Sequence, residues 1–323
     1  MRFSMTGVGL VVGLSVMLCS YPTRATNSQA ELAGVMADLL RWLPGDYSSQ
    51  SQIDMEKRLG ESPDGEHEAW FRVFAPVQAP HIGEHIIYGQ LHAGGRDGPI
   101  IPGTQVLYII SMDEKNNAVT INGRRIADGP DFVDVHLYPE RQKDLKLDPN
   151  TGGNCDFRWR RHGEQIVGLL ANKDEAVTDG TCTMVSKVSG LQMTWDAEWV
   201  LNDHELWIYD NGYLEDGTLF IGREDRTHTR LSRVTWYSCE WQRGDESGNV
   251  SLHDGGGQAN LNGNSHLHML NSRWQNAAGL SQAGTQLSIQ DGGEMTHKYL
   301  QTGEVHAITT PWTDIRVACT QAS

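Results

Sequence analysis

A few groups of side chains in this chain have the type and spacing to do chemistry. Cys155, Cys182, Cys239 and Cys319 remain once Cys19 is assigned to a leader, an even number with no Cys-x-x-Cys among them. That pattern argues for two disulfides in an oxidising compartment, and against a zinc ribbon or a thioredoxin-type redox pair. Of three possible pairings, Cys155 with Cys182 and Cys239 with Cys319 is the expected one, because each bond would join neighbouring or terminal strands. His266 and His268 would project two imidazoles from one face of a strand, with His253 as a possible third, a geometry compatible with a divalent metal. No cysteine or carboxylate at a firm spacing completes that set, so exposed histidines are the plainer reading and no metal is expected. Trp70, Trp159, Trp195, Trp199 and Trp207 read either as core and girdle residues or as the aromatic wall of a pocket. Asp156 and Asp210 adjoin turns, where capping competes with ligand contact. Gln90 falls on a strand expected to face inward, and a buried amide must find partners. Nucleophilic hydrolysis has no motif: Gly-x-Ser-x-Gly is absent, and Gly279-Leu280-Ser281 leads only into a glutamine-bearing loop.

The elements that would position these groups follow a leader. Residues 1–25 read as a cleaved signal peptide, with Arg2, an apolar stretch at 8–18 and Thr23-Arg24-Ala25 as the cleavage site. Eleven apolar residues interrupted by Gly9 and Gly13 are too few to cross a hydrocarbon core of about 30 Å. A lipid anchor at Cys19 is the alternative, weakened by Leu18 where lipoprotein processing wants a small residue. The expected location is periplasmic or secreted, with no membrane span. Loss of Arg2 and Arg24 takes the formal charge from -15 to -17, a field that repels phosphate backbones and anionic lipid. Nucleic acid is therefore not an expected partner.

One amphipathic helix opens the mature chain: Leu32, Val35, Met36, Leu39, Leu40 and Leu43 recur at helical spacing, Ser28 to Glu31 make a capping box, and Pro44-Gly45 stops the run. From Trp70 the period is two, in runs at 70–74, 85–91, 105–110, 119–121, 132–137, 155–159, 165–169, 182–185, 191–201, 205–209, 219–222 and 234–241. Asn122-Gly123, Asp179-Gly180, Asn211-Gly212 and Asp216-Gly217 supply hairpin turn chemistry, so successive strands should pair antiparallel. Closing such a meander removes its edges. The expected fold is mainly β: an antiparallel up-and-down, lipocalin-like barrel over 26–243, with an N-terminal helix. After Gly244, Gly, Asn, Gln, Ser and His dominate, and 244–323 reads as a β-rich extension of added strands or loops tied back by Cys319 and Trp312; partial disorder around Asp254-Gly-Gly-Gly257 is the alternative.

The stretch Leu39-Leu40-Arg41-Trp42-Leu43-Pro44-Gly45-Asp46-Tyr47-Ser48-Ser49, ending at Gln52, resembles the helix-to-strand opening of the chromophore lyase CpcT/CpeT family. Ile86-Ile87-Tyr88-Gly89-Gln90 resembles the family's strand ending in Glu-Gln, Gly153-Asn154-Cys155-Asp156 with Trp159 its Gly-Cys-Asp segment, and Gly180-Thr181-Cys182 its second cysteine strand. Leu206-Trp207-Ile208-Tyr209-Asp210-Asn211-Gly212, after 195–201, is similar to the strand and turn that follow. The resemblance covers about residues 35–235. Where the family carries Pro-Tyr-Arg-x-Arg, this chain has Pro102-Gly103-Thr104-Gln105-Val106, without the tyrosine or either arginine.

The resemblance implies a lipocalin-like calyx that binds an open-chain tetrapyrrole (bilin) and a lyase that attaches it through a thioether to a cysteine of an acceptor protein. It calls for aromatic walls, cations for two propionates and a carboxylate near the pyrrole N–H groups. Trp70, Trp159, Trp195, Trp199 and Trp207 are candidates for the first, Arg72, Arg158 and Arg160 for the second, and Asp156 or Asp210 for the third; Tyr88, Gln90, Trp159, Trp207 and Asp210 make the expected ligand set. No cofactor is required beyond a tetrapyrrole ligand, and no catalytic residue is assigned. The other reading is a periplasmic lipocalin-like protein that binds a small hydrophobic planar ligand without chemistry. The missing Tyr-Arg-x-Arg leads to an expectation of binding with poor transfer.

Overall fold

The computed structural model describes residues 24–60, 67–150, 154–176, 178–185, 190–263, 265–275, 281–301, 306–309 and 315–322. Most of the leader, Cys19 and Trp312 lie outside them. Helix α1 (Arg24–Trp42) already runs from Arg24, so Ser28 is not its cap; the hydroxyl donates to Asn117 Oδ1 at 2.5 Å. The capping signature lay inside the helix, where a Ser hydroxyl that is not needed at the terminus can reach a neighbouring element.

The barrel is built from β1 (Gly45–Ser48), then, after helix α2 (Gln50–Leu59), β2 (Trp70–Pro76), β3 (His85–Ala93), β4 (Val106–Asp113) and β5 (Ala118–Arg125). A short helix α3 (Pro139–Gln142) lies in the excursion to β6 (Cys155–His162), β7 (Gln165–Asn172), β8 (Thr181–Val185), β9 (Gln192–Leu201), β10 (Glu205–Leu214), β11 (Leu219–Ile221) and β12 (Thr229–Arg233). Every pairing is antiparallel, in the order β10-β12-β1-β2-β3-β4-β5-β6-β7-β9, and β9 pairs again with β10 to close a ten-stranded barrel. β8 and β11 stand outside that ring, on the ends of β9 and β10 that run past β7 and β12. The apolar face of α1, with Leu32, Val35 and Leu39 buried, and Leu43 just after it pack into one core with Tyr47, Phe74, Val119, Trp159, Ile166, Leu201, Leu206 and Leu231. That core fixes which side of each strand faces inward.

Two turn signals fell inside strands. Asn122-Gly123 lies in β5, where Gly123 is paired with Tyr108 and a Cβ there would meet its ring at an ordinary 3.6 Å, so the pair continues the strand and makes no turn. Asn211-Gly212 lies within β10. Asp216-Gly217 does turn the β10–β11 hairpin, with Gly217 at φ 83°. The expected strand at 132–137 is instead a pair of 3-10 turns, entered through Asp128 and Asp134 at φ 56° and 53°.

The extension comprises β13 (Trp236–Arg243), β14 (Glu246–His253), β15 (Gly255–Asn262), β16 (Ser265–Gln275), β17 (Ser281–Asp291), β18 (Glu294–Gln301), β19 (His306–Thr309) and β20 (Arg316–Gln321). They form two sheets, β14-β13-β20-β19 and β15-β16-β17-β18, around a shared core that includes Tyr237, Leu252, Leu267, Met269, Leu287 and Val317. β13 therefore belongs to the extension, although its aromatic composition reads like barrel; its apolar side chains bury against the second sheet. Asp254-Gly-Gly-Gly257 opens β15 and is a packing seam, because a Cβ at Gly255 would stand 2.6 Å from Val234 and 2.8 Å from Ser48. Both expected disulfides are present: Cys155–Cys182 ties β6 to β8, and Cys239–Cys319 links directly opposed residues of β13 and β20.

Candidate functional site

Strand alternation decides what the barrel interior can bind. Phe74 is in the α1 core, so Trp70 and Arg72 on β2 share its inward face; Ile110 on β4 sets Tyr108 inward, Trp159 on β6 sets Phe157 inward, Leu201 on β9 sets Trp195 and Trp199 inward, and Ile208 on β10 sets Asp210 inward. At the α1 end this interior is sealed, with Tyr47, Trp159, Ile166, Leu201 and Leu206 fully buried. Above that floor, Trp70, Arg72, Tyr108, Phe157, Trp195 and Asp210 each keep part of their surface accessible while facing inward. These part-buried side chains beyond the sealed α1 end line the cup of the barrel.

Trp199 is the hub of the cup. Its ring lies 5.1 Å from Phe157, 6.0 Å from Tyr108, 6.3 Å from Phe74 and 6.5 Å from Trp159. The Arg72 guanidinium sits between two indoles, 5.6 Å from the Trp199 centroid and 5.5 Å from Trp70. Burial pushes the Asp210 carboxyl up to about 6, and the Arg72 charge only partly offsets it. Burial likewise raises the Tyr108 phenol, with Arg72 opposing and Asp210 adding to the shift. Four inward donors, Arg72 Nε and the indole N–H groups of Trp159, Trp195 and Trp199, find no acceptor among the described residues. Buried donors normally find partners, so these four are the unpaired polar groups of the barrel interior.

No family model and no curated protein matches the chain. A solved structure titled "SeMet CRL Protein of Arabidopsis" is similar over 66% of this chain and 100% of that one, at 12% identity and a TM-score of 0.42.

Of the five residues expected to hold a ligand, Asp210 faces the cup and Trp159 forms its floor. Trp207 is on the outer face of β10, where Arg230 stacks at 5.0 Å and Glu205 Oε2 accepts its indole N–H at 2.8 Å. Tyr88 and Gln90 also face outward, since Ile87 between them and the start of β3 is the residue in the barrel core. They are buried beneath residues 126–148: Gln90 Oε1 accepts from Tyr88 Oη and the Asp134 backbone N–H, while its Nε2 donates to His92 Nε2 and Asp134 Oδ1. That amide is saturated by protein and works as a clasp. Arg158, again on an outward position, donates to the carbonyls of Asn172, Lys173 and Glu175, and Asp156 accepts from Asn122 Nδ2 at 2.5 Å. Arg160 is held by the carbonyls of Asn116 and Asn117.

His253 packs between Phe71 and Trp236, at 5.2 and 4.8 Å, and burial holds its imidazole down to about 4. Among the described residues no group of three His, Cys, Asp or Glu side chains is placed to hold a metal ion. Tyr108 was not among the expected ligands; its signal was the alternation Val106, Tyr108, Ile110, the first two of which flank Gly123. Beside the 102–106 segment, the Arg125 guanidinium lies 3.4 Å from a Cβ built at Gly103.

Proposed function

We propose that the barrel is a ligand-binding calyx of the CpcT/CpeT kind, which takes a planar, conjugated, acid-bearing molecule such as an open-chain tetrapyrrole into its cup. The single observation that carries this reading is Arg72, held at depth between Trp70 and Trp199 and facing Asp210 and Tyr108. Stacked rings supply area burial for a flat conjugated system, the guanidinium can receive a propionate, and Asp210 can accept pyrrole N–H groups. Export to the periplasm or beyond is part of the proposal: the leader-like residues 1–25 suggest it, two disulfides fit an oxidising compartment, and no described helix is long and apolar enough to cross a membrane.

Transfer to an acceptor cysteine is expected to be poor, since attack geometry needs both propionates clamped and a misplacement of about 1 Å can cost on the order of a hundredfold in rate. Titration with biliverdin, phycocyanobilin and haem should quench tryptophan fluorescence. Addition of a phycobiliprotein acceptor should then give little denaturation-stable coloured adduct. Absence of quenching by all three would overturn the ligand class, and efficient adduct formation would overturn the binding-only half. Trp207→Ala, on the outer wall, should change the affinity by less than about twofold, as surface substitutions away from a site generally do.

A further inference from the structure

A second constellation lies on the outside of the barrel, apart from the cup. The Glu56 carboxylate on α2 holds His67 at two points: Oε2 accepts its backbone N–H at 2.9 Å and Oε1 accepts the ring Nδ1–H at 2.6 Å. Both residues are buried. A proton kept on Nδ1 leaves Nε2 as an acceptor, and Nε2 stands 3.2 Å from the Thr227 hydroxyl. Gln52 Nε2 lies against the ring, 3.0 and 3.3 Å from its two nitrogens, and the Gln52 amide is itself fixed by the backbone at 228–230: Oε1 accepts the Arg230 N–H at 2.6 Å and Nε2 donates to the His228 carbonyl.

Thr227 is exposed, and the residue before it is strained. Arg226 has φ 56°, a left-handed backbone that a long side chain adopts at a cost of about 1–3 kcal/mol, and such outliers concentrate at functional sites. Arg226 and His228, on either side of Thr227, line a cleft of about 240 Å³ with Tyr209, Asp196, Glu198 and Leu169. A buried, carboxylate-oriented histidine and an exposed hydroxyl on a strained turn meet at one place, and the residues on either side of that hydroxyl line the neighbouring cleft. The hydroxyl also has Asp225 Oδ1 within 2.9 Å, so its proton has two acceptors in reach.

We propose that Glu56, His67 and Thr227 form an acyl-transfer relay that hydrolyses small esters presented to the exposed Thr227 hydroxyl next to this cleft. Thr227 Oγ1 attacks the acyl carbon as its proton moves to His67 Nε2, and Glu56 stabilises the imidazolium that forms. The ester C–O bond then breaks, and the alcohol leaves with the proton from Nε2. Water attacks the acyl-threonine, gives its proton to Nε2, and releases the acid as Thr227 regains its hydrogen. Arg226, bound to Asp196 at 2.6 Å, is the cation at the cleft that can polarise the carbonyl. Asp179, Asp196 and Glu198 around the cleft disfavour anionic substrates, so neutral or cationic esters are the class it would take.

The full chain is incubated with p-nitrophenyl acetate, nitrophenol release is followed, and the adduct is mapped by mass spectrometry. The expected result is an acetyl group on Thr227 and a rate that falls at least about a hundredfold in Thr227→Ala. Thr227→Ser, which keeps the hydroxyl without the branch, should retain or raise the rate. His67→Gln should lose it, with circular dichroism confirming that this variant is folded. Hydrolysis by the unaltered protein no faster than by Thr227→Ala, or acetylation mapped only elsewhere, would overturn the relay. Neither outcome bears on the calyx, whose residues are on the opposite side of the barrel wall.

Discussion

Arg72→Leu should weaken binding of a carboxylate-bearing tetrapyrrole to the calyx by about ten- to a hundredfold, measured by tryptophan quenching. A hydrogen bond to a charged group is worth about 1.5–3 kcal/mol, and each 1.4 kcal/mol is tenfold in affinity. Leucine keeps apolar contact with Trp70 and Trp199, between which Arg72 now lies, so thermal stability should change little. Arg72→Lys should recover only part of the loss, because an ammonium carries the charge without the flat stacking surface or the paired donors. A leucine variant that binds as tightly as the unaltered protein would remove Arg72 from the site, and with it the reason for placing the ligand's acid group at depth.

That choice of Arg72 over Trp207 shows where the sequence was legible and where it was not. The period-two runs, the closing helix and both cysteine pairs could be read, because each depends on local alternation or on simple arithmetic. Which face of a strand points inward could not. β10 alternates Leu206, Ile208 and Asp210 against Trp207 and Tyr209, and both faces look buried. Residues 207 and 210 must lie on opposite sides, so only one of them could enter the cup, and nothing local says which.

Tyr88 and Gln90 misled for a different reason. Their face of β3 is covered by residues 126–148, so burial there reports a second packing layer and not the lumen. Asn122-Gly123 failed as a turn because a glycine facing an aromatic ring and a glycine at positive φ read identically in one dimension. The Glu56–His67–Thr227 set was invisible for the same kind of reason: its members are 11 and 160 residues apart and meet only through the closure of the barrel.

Asp210→Asn should make the protein more stable above pH 7, by about 1–2 kcal/mol, while impairing the calyx. In the folded chain burial raises the carboxyl from 3.8 to about 6. Below the unfolded value both states hold the proton, and the residue carries no electrostatic penalty. As pH rises from about 4 to 6 the unfolded chain releases its proton while the folded chain retains it, so stability declines with pH and levels off once the folded carboxyl has ionised. The full shift would be worth nearly 3 kcal/mol at 1.36 kcal/mol per unit, reduced because Asp210 is partly accessible and Arg72 can adjust. Asparagine does not titrate, so its gain should be absent at pH 4 and complete by about pH 7. Urea titrations of both proteins at pH 4, 6 and 8 would measure it; equal stabilities at pH 8, or a gain that grows toward acid, would mean the carboxylate is not desolvated. A carboxylate that costs stability at neutral pH and faces the barrel interior is the stability–function trade-off expected of a binding residue, and tetrapyrrole affinity should fall in the same variant that folds more tightly.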